Sequence, residues 1–124
     1  KDYIGYEINP KIINIINKSK KKINISNKLN YKNQFDIIIS NGVHNFNYMQ
    51  NKRIIRSDLK KMFKISKHYI GISFLNNDVD YKENYLYYHD EKEIVHYIKK
   101  NFKCSLKINK SFSKYETFLI IKKA

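Results

Sequence analysis

The chain has 124 residues, the size of one domain or part of one, and a formal net charge of +14 that is almost all lysine, with only two arginines among its 25 basic side chains. Its single cysteine, Cys104, excludes an intramolecular disulfide and a cysteine-cluster metal site, and fits a reducing cytoplasm. No apolar run approaches the roughly 18 residues needed to cross a bilayer, so no membrane association is expected.

The hydrophobic periods alternate between strand-like and helix-like, which argues for an α/β architecture. The run Asp2-Tyr3-Ile4-Gly5-Tyr6-Glu7 predicts a strand over 2–7 that ends abruptly in polar residues, as a buried parallel strand does at its carboxyl end. Pro10 suits the first turn of a helix over 10–20, with Asn9 as its cap and Ile12, Ile13, Ile15 and Ile16 as its apolar face. The closing run Lys18-Ser19-Lys20-Lys21-Lys22 complements the helix dipole. Ile23-Asn24-Ile25-Ser26 predicts a short strand, and 27–34 a polar loop.

Phe35-Asp36-Ile37-Ile38-Ile39-Ser40 predicts a central strand, followed by a helix over 51–67 with Ile54, Ile55, Leu59, Met62, Phe63 and Ile65 on or near one apolar stripe. Residues 69–75 read as the next strand and 76–89 as a polar loop rich in tyrosine. Asp90 caps a helix over 90–101, with Glu93 completing a capping box. Strands over 105–112 and 116–122 close the chain as a hairpin turned near Ser113-Lys114.

In open α/β sheets the ligand crevice lies outside the carboxyl ends of the strands, where Glu7 is placed to accept hydrogen bonds from both hydroxyls of a ribose. On Asp2-Tyr3-Ile4-Gly5-Tyr6-Glu7-Ile8-Asn9-Pro10, read with Phe35-Asp36-Ile37-Ile38-Ile39-Ser40-Asn41-Gly42, the chain resembles the S-adenosylmethionine-dependent class I methyltransferases. In that family an acidic residue closes the second strand and a Phe-Asp-aliphatic run forms the fourth. The order of elements is similar from the family's second strand onward, and the closing antiparallel hairpin is the more specific part.

The resemblance implies a three-layer Rossmann-like sheet, mostly parallel, with 35–40 away from its edges and the helices over 10–20 and 51–67 on opposite faces. It starts in mid-domain, so residues 1–124 are expected to be a partial class I methyltransferase domain, inactive alone, whose first strand and glycine-rich loop precede Lys1. That first strand would lie between 2–7 and 35–40.

The resemblance also implies site roles. Glu7, with Ile8 beside it, would hold the ribose of S-adenosylmethionine. Asn27, with Lys28 beside it, would meet the adenine, where the family often has Asp. Ser40, Asn41 and Gly42 would face the methionine end and the sulfonium. The phrases Ser40-Asn41-Gly42-Val43-His44-Asn45-Phe46 and Asp80-Tyr81-Lys82-Glu83-Asn84 look like those of small-molecule methyltransferases, which makes a small molecule the expected acceptor. Asn45, Tyr81, Tyr85, Tyr87 and Tyr88 are candidates for its loop, since tyrosine offers an apolar wall with a polar tip. His44 is a candidate general base, although alignment of nucleophile and sulfonium does most of the work in such a displacement. His68, His89 and His96 show no metal-ligand pattern.

Residues 40–43 are not the Asp/Asn-Pro-Pro-Tyr/Phe motif of amino-directed DNA methyltransferases. Two other readings compete. An RNA-directed methyltransferase would use lysines along the RNA backbone and requires them to cluster beside the crevice. A non-catalytic interaction domain would keep the fold without the cofactor. Lys, Asn, Ile, Tyr and Phe, whose codons are rich in A and T, supply 78 of the 124 residues, so genome composition accounts for much of the basicity. Nucleic acid is therefore the less favoured partner.

Overall fold

Asn9 and Pro10 begin the first helix as their chemistry dictates. The Asn9 side chain accepts from the backbone N–H of Lys11 at 3.0 Å, and proline loses nothing at a position whose N–H has no helical partner. The computed structural model describes residues 2–30, 32 and 34–124, which divide into two compact units, 1–32 and 33–124. The loop expected over 27–34 falls partly outside the described residues.

The first unit holds β1 (Gly5–Tyr6), α1 (Pro10–Lys18) and β2 (Ile25–Ser26). β1 and β2 pair in parallel, Gly5 with Ile25 and Tyr6 with Ser26. The strand expected over 2–7 is thus only two residues long, because its ladder can be no longer than that of its partner. α1 stops at Lys18, where the Ser19 N–H and hydroxyl both donate to the Ile16 carbonyl and close the last turn. None of its residues is buried.

The second unit holds β3 (Phe35–Ser40), α2 (Asn51–Ile65), β4 (Ser66–Leu75), α3 (Glu91–Asn101), β5 (Cys104–Asn109) and β6 (Glu116–Lys123). Its four strands lie in the order β3-β4-β6-β5, with β3 parallel to β4 and β6 antiparallel to both β4 and β5. The closing hairpin therefore shares a sheet with β3 and β4, as the sequence suggests. Two expectations are corrected. The described strands form two sheets rather than one, and β3 lies at an edge of the larger one.

A third correction concerns the helix expected to reach residue 67, which ends at Ile65 and passes straight into β4. Lys123 makes the abrupt junction tolerable. Its ammonium donates to the carbonyls of Phe63, at 2.6 Å, and of Ser66. Carbonyls at a helix end need such a donor when no loop follows.

The core lies on one face of the larger sheet. Ile55, Leu59, Met62 and Phe63 of α2 and Ile94 and Ile98 of α3 pack against Ile70, Ile72, Phe74, Leu119 and Ile121. The helical residues recur at three- and four-residue steps and the strand residues at every second position, so each element turns one stripe inward. Phe63 stacks on Phe102 with ring centroids 3.8 Å apart. On the opposite face Gly71 leaves room for the ring of Phe118, while Ile37 and Ile39 stay largely exposed. No helix among the described residues is long and apolar enough to cross a membrane.

Candidate functional site

Parallel strands end on the same side, so the pairing of Tyr6 with Ser26 sets the next two residues, Glu7 and Asn27, next to each other beyond the carboxyl ends of β1 and β2. The Glu7 N–H donates to the Ser26 carbonyl at 3.0 Å. Its carboxylate accepts through Oε1 from the N–H of Asn9 at 2.8 Å, which aims the group and leaves Oε2 for a ligand. Ile8, Asn27 and Lys28 are exposed beside it. The Ser26 hydroxyl accepts from the Lys28 N–H and donates to the Lys28 carbonyl, fixing the turn that presents Asn27.

In the second unit the corresponding end is the rim where β3 and β4 finish. Ser73, buried near the end of β4, donates its hydroxyl to Asn41 Oδ1 at 2.7 Å and accepts from the Gly42 N–H at 2.9 Å. Gly42 has φ +68°, a left-handed conformation that glycine adopts without strain. Ser40, Asn41 and Gly42 are thus held as a shaped turn at the strand tip.

The loops 41–50 and 76–90 are joined along this rim. The Tyr87 N–H donates to the Asn45 carbonyl and the Asn47 N–H to the Tyr85 carbonyl, each at 2.9 Å, and Phe46 bridges to Leu86. The Asn45 amide faces inward, accepting from the Leu75 N–H at 3.1 Å and donating to Glu116 at 3.3 Å. It is in the expected loop, but its polar atoms serve the loop itself. Asn51 does the same from α2, accepting from the Tyr48 N–H and donating to the Phe46 carbonyl. Among the side chains the rim exposes are Val43, Phe46, Tyr48, Met49, Tyr81 and Tyr85, all more than half exposed, interspersed with polar ones such as Asn47, Asp78, Asp80 and Lys82. Met49 sits at φ 64°, a conformation that a non-glycine residue seldom adopts.

His44 points the other way. It is 3% exposed, and its Nε2 lies 3.0 Å from Asp58 Oδ2 on α2. Burial alone would raise the Asp58 carboxyl, but the hydrogen bond and charge of His44, with Lys61 nearby, outweigh it and leave the group below its ordinary value. The buried His89 donates through Nε2 to the His44 carbonyl at 3.2 Å, and burial depresses its pKa to about 4. The neutral ring is therefore the stable form near pH 7. Beside His89, between α2 and α3, the cavity measures about 10 Å³, room for one water rather than a ligand.

Sequence reasoning missed Ser73, Asp58, His89 and Asn51. Two of them carried a signal. Ser73 is a hydroxyl interrupting an apolar strand, and Asp58 is the single acid in a helix with six cations. Asn51 and His89 had none, since their roles depend on loops that meet only in the fold. Among the described residues no group of three His, Cys, Asp or Glu side chains is arranged to hold a metal ion.

No protein-family model and no curated protein sequence matches the chain. Solved structures do. Magnesium protoporphyrin IX methyltransferase from Synechocystis PCC 6803, solved with bound SAH, is similar at a TM-score of 0.68 and 11% identity over 98% of this chain and 63% of that one. The same enzyme with bound SAM gives 0.64 and 13% over 98% and 59%. A chain of the Pnkp1/Rnl/Hen1 RNA repair complex gives 0.66 and 10% over 98% and 31%. The protein thus has the α/β fold of these methyltransferases, and spans about three fifths of the length of the first.

Proposed function

We propose that the protein takes part in methyl transfer from S-adenosylmethionine to a small-molecule acceptor. The observation that carries the reading is Glu7: a carboxylate set beside Asn27 beyond two parallel strand ends, in a chain whose fold is that of methyltransferases solved with SAM and SAH. The donor set suits an adenosyl ligand. Glu7 Oε2 accepts from a ribose hydroxyl, Asn27 offers an uncharged amide to the adenine edge, and the exposed Ile8 and the stem of Lys28 give apolar cover.

When bound, S-adenosylmethionine supplies an electrophilic methyl group on a positive sulfonium. The protein's task is then alignment of the acceptor with that methyl and exclusion of water. The outward aromatic side chains of the 41–50 and 76–90 loops are assigned to acceptor binding, with Tyr81 and Tyr85 as walls. His44, enclosed and paired with Asp58, acts in this reading by fastening the loop after β3 rather than by touching the acceptor. Asn45 likewise acts through the loop it holds.

Calorimetric titration with S-adenosylmethionine tests the reading. A charge-assisted hydrogen bond is worth about 1.5–3 kcal/mol, so Glu7→Ala should weaken binding by roughly tenfold or more. An unchanged affinity would remove Glu7 from the site.

A further inference from the structure

α2 carries its charge on one side. Lys52, Arg56 and Lys60 follow one another at four-residue steps, with Arg53 and Ser57 at the same step beside them, away from the buried stripe of Ile55, Leu59 and Met62. Against Tyr97 of α3 this row forms an open groove of about 570 Å³, lined by Lys52, Arg53, Arg56, Ser57, Lys60 and Tyr97.

The placement of arginine is what separates this groove from the rest of the basic surface. Both arginines of the chain are here, three residues apart, while the other 23 basic side chains are lysines. Lysine serves wherever a solvated positive charge suffices. Arginine differs by gripping a phosphate through two donors of one planar fork. Two of these cations are also engaged beside the groove, where Glu93 of α3 accepts from Lys52 Nζ at 2.8 Å and from Arg56 at 2.7 Å. One carboxylate against four cations leaves the groove strongly positive. The Arg56 guanidinium lies 5.1 Å from the centroid of the Tyr97 ring, which restrains its plane, while Phe102 packs edge to face against the same ring at 6.1 Å.

We propose that this groove binds the phosphodiester backbone of a single-stranded nucleic acid. A row of cations spaced along one helix is an arrangement that holds such strands, by charge along the backbone. The row starts in the first turn of α2, directly after the 41–50 loop, so a bound strand runs past the rim of β3 and β4. The proposal concerns binding alone and stands independently of methyl transfer.

Fluorescence anisotropy with a labelled single-stranded RNA of 12 nucleotides, and with the DNA strand of the same sequence, tests it across a salt series. Arg53→Gln combined with Arg56→Gln should weaken binding by about tenfold or more and flatten the slope of log K against log salt by about 1.4, two contacts at 0.7 each. Lys107→Gln combined with Lys122→Gln removes the same charge from exposed positions on β5 and β6, and should weaken binding by no more than about threefold. Glu93→Gln frees two cations and should tighten binding. Arg53→Gln alone guards against a folding defect, because among the described residues the Arg53 side chain bonds Gln50 alone, at 3.5 Å, and it should still weaken binding. RNA and DNA arms differ in which strand is preferred, and loss of either in the arginine variants supports the groove. Equal losses in the two double variants would overturn the proposal, as would absence of binding, or a poly-glutamate peptide that binds as tightly with the same dependence on Arg53 and Arg56.

Discussion

His44 Nε2 lies 3.0 Å from Asp58 Oδ2, which ties the loop following β3 to the middle of α2 through one partly buried hydrogen bond. The pair holds the loop from beneath while Ser73 holds it from β4, so the Ser40-Asn41-Gly42 turn is fixed on two sides. A loop that must present groups to a ligand loses less entropy on binding when it is held in advance.

Asp58→Asn keeps the shape of the side chain and removes its charge. The Asp58 carboxyl is held below its ordinary value, so its contribution is fully present above that ordinary value and is lost as pH falls through the lowered one. The substitution should therefore cost about 1–2 kcal/mol at pH 7, and less at pH 3, in urea unfolding. Equal stability of the two proteins at pH 7 would show that the pair contributes nothing.

His89 sets a second pH dependence. Its pKa in the folded protein is about 4, below the 6.5 of the unfolded chain. Above pH 6.5 neither state holds the extra proton and the full stability is present. As pH falls from 6.5 to 4 the unfolded state takes up the proton first, so stability drops by up to about 3 kcal/mol. His89→Gln can still donate to the His44 carbonyl and does not titrate, so its stability should be flatter over that window. A variant with the same slope as the parent would assign the dependence to other groups.

Much of the fold was legible because it rests on local chemistry. Asn9-Pro10 and Asp90 started helices where the sequence placed them, and the Asp90 side chain accepts from the Glu93 N–H at 3.2 Å, whereas the Glu93 carboxylate expected to complete a capping box binds Lys52 and Arg56 instead. The apolar steps in 51–65 gave the buried face of α2 except for Ile54, which is only half-buried. The helix end at Ile65 was not legible, because the donor that permits it, Lys123, comes nearly 60 residues later. The edge position of β3 was equally hidden, since a run such as Ile37-Ile38-Ile39 reads as central while only Ile38 turns towards the core. For the site, the strand-tip residues were legible as strand endings. His44 was legible only as a histidine in a loop, and its inward direction depends on Asp58, 14 residues away.

Lys123 offers a test of the loop-free junction between α2 and β4. Its ammonium serves the Phe63 and Ser66 carbonyls, so Lys123→Ala leaves both to incomplete solvation and should cost about 1–2 kcal/mol in thermal or urea unfolding. Lys122→Ala, one residue away and exposed, should change stability by no more than about 0.5 kcal/mol. Equal effects of the two would mean that the contact does not support the junction.

The far face of the sheet makes the last prediction. A Cβ built on Gly71 would stand 2.8 Å from Cζ of Phe118, closer than real side chains approach. The Phe118 ring is itself flanked by Phe112, edge to face with centroids 6.4 Å apart, so it cannot swing aside without disturbing that contact. Gly71→Ala should therefore destabilise by about 1–3 kcal/mol through overpacking, although alanine ordinarily favours a strand over glycine. The cause can be separated from any backbone effect by repeating the substitution in a Phe118→Leu background, where the ring tip is gone. There Gly71→Ala should be nearly neutral or stabilising, giving a favourable coupling of about 1 kcal/mol or more in a double-mutant cycle. An equal cost in both backgrounds would place the requirement for glycine in the backbone of β4 and not in the ring of Phe118.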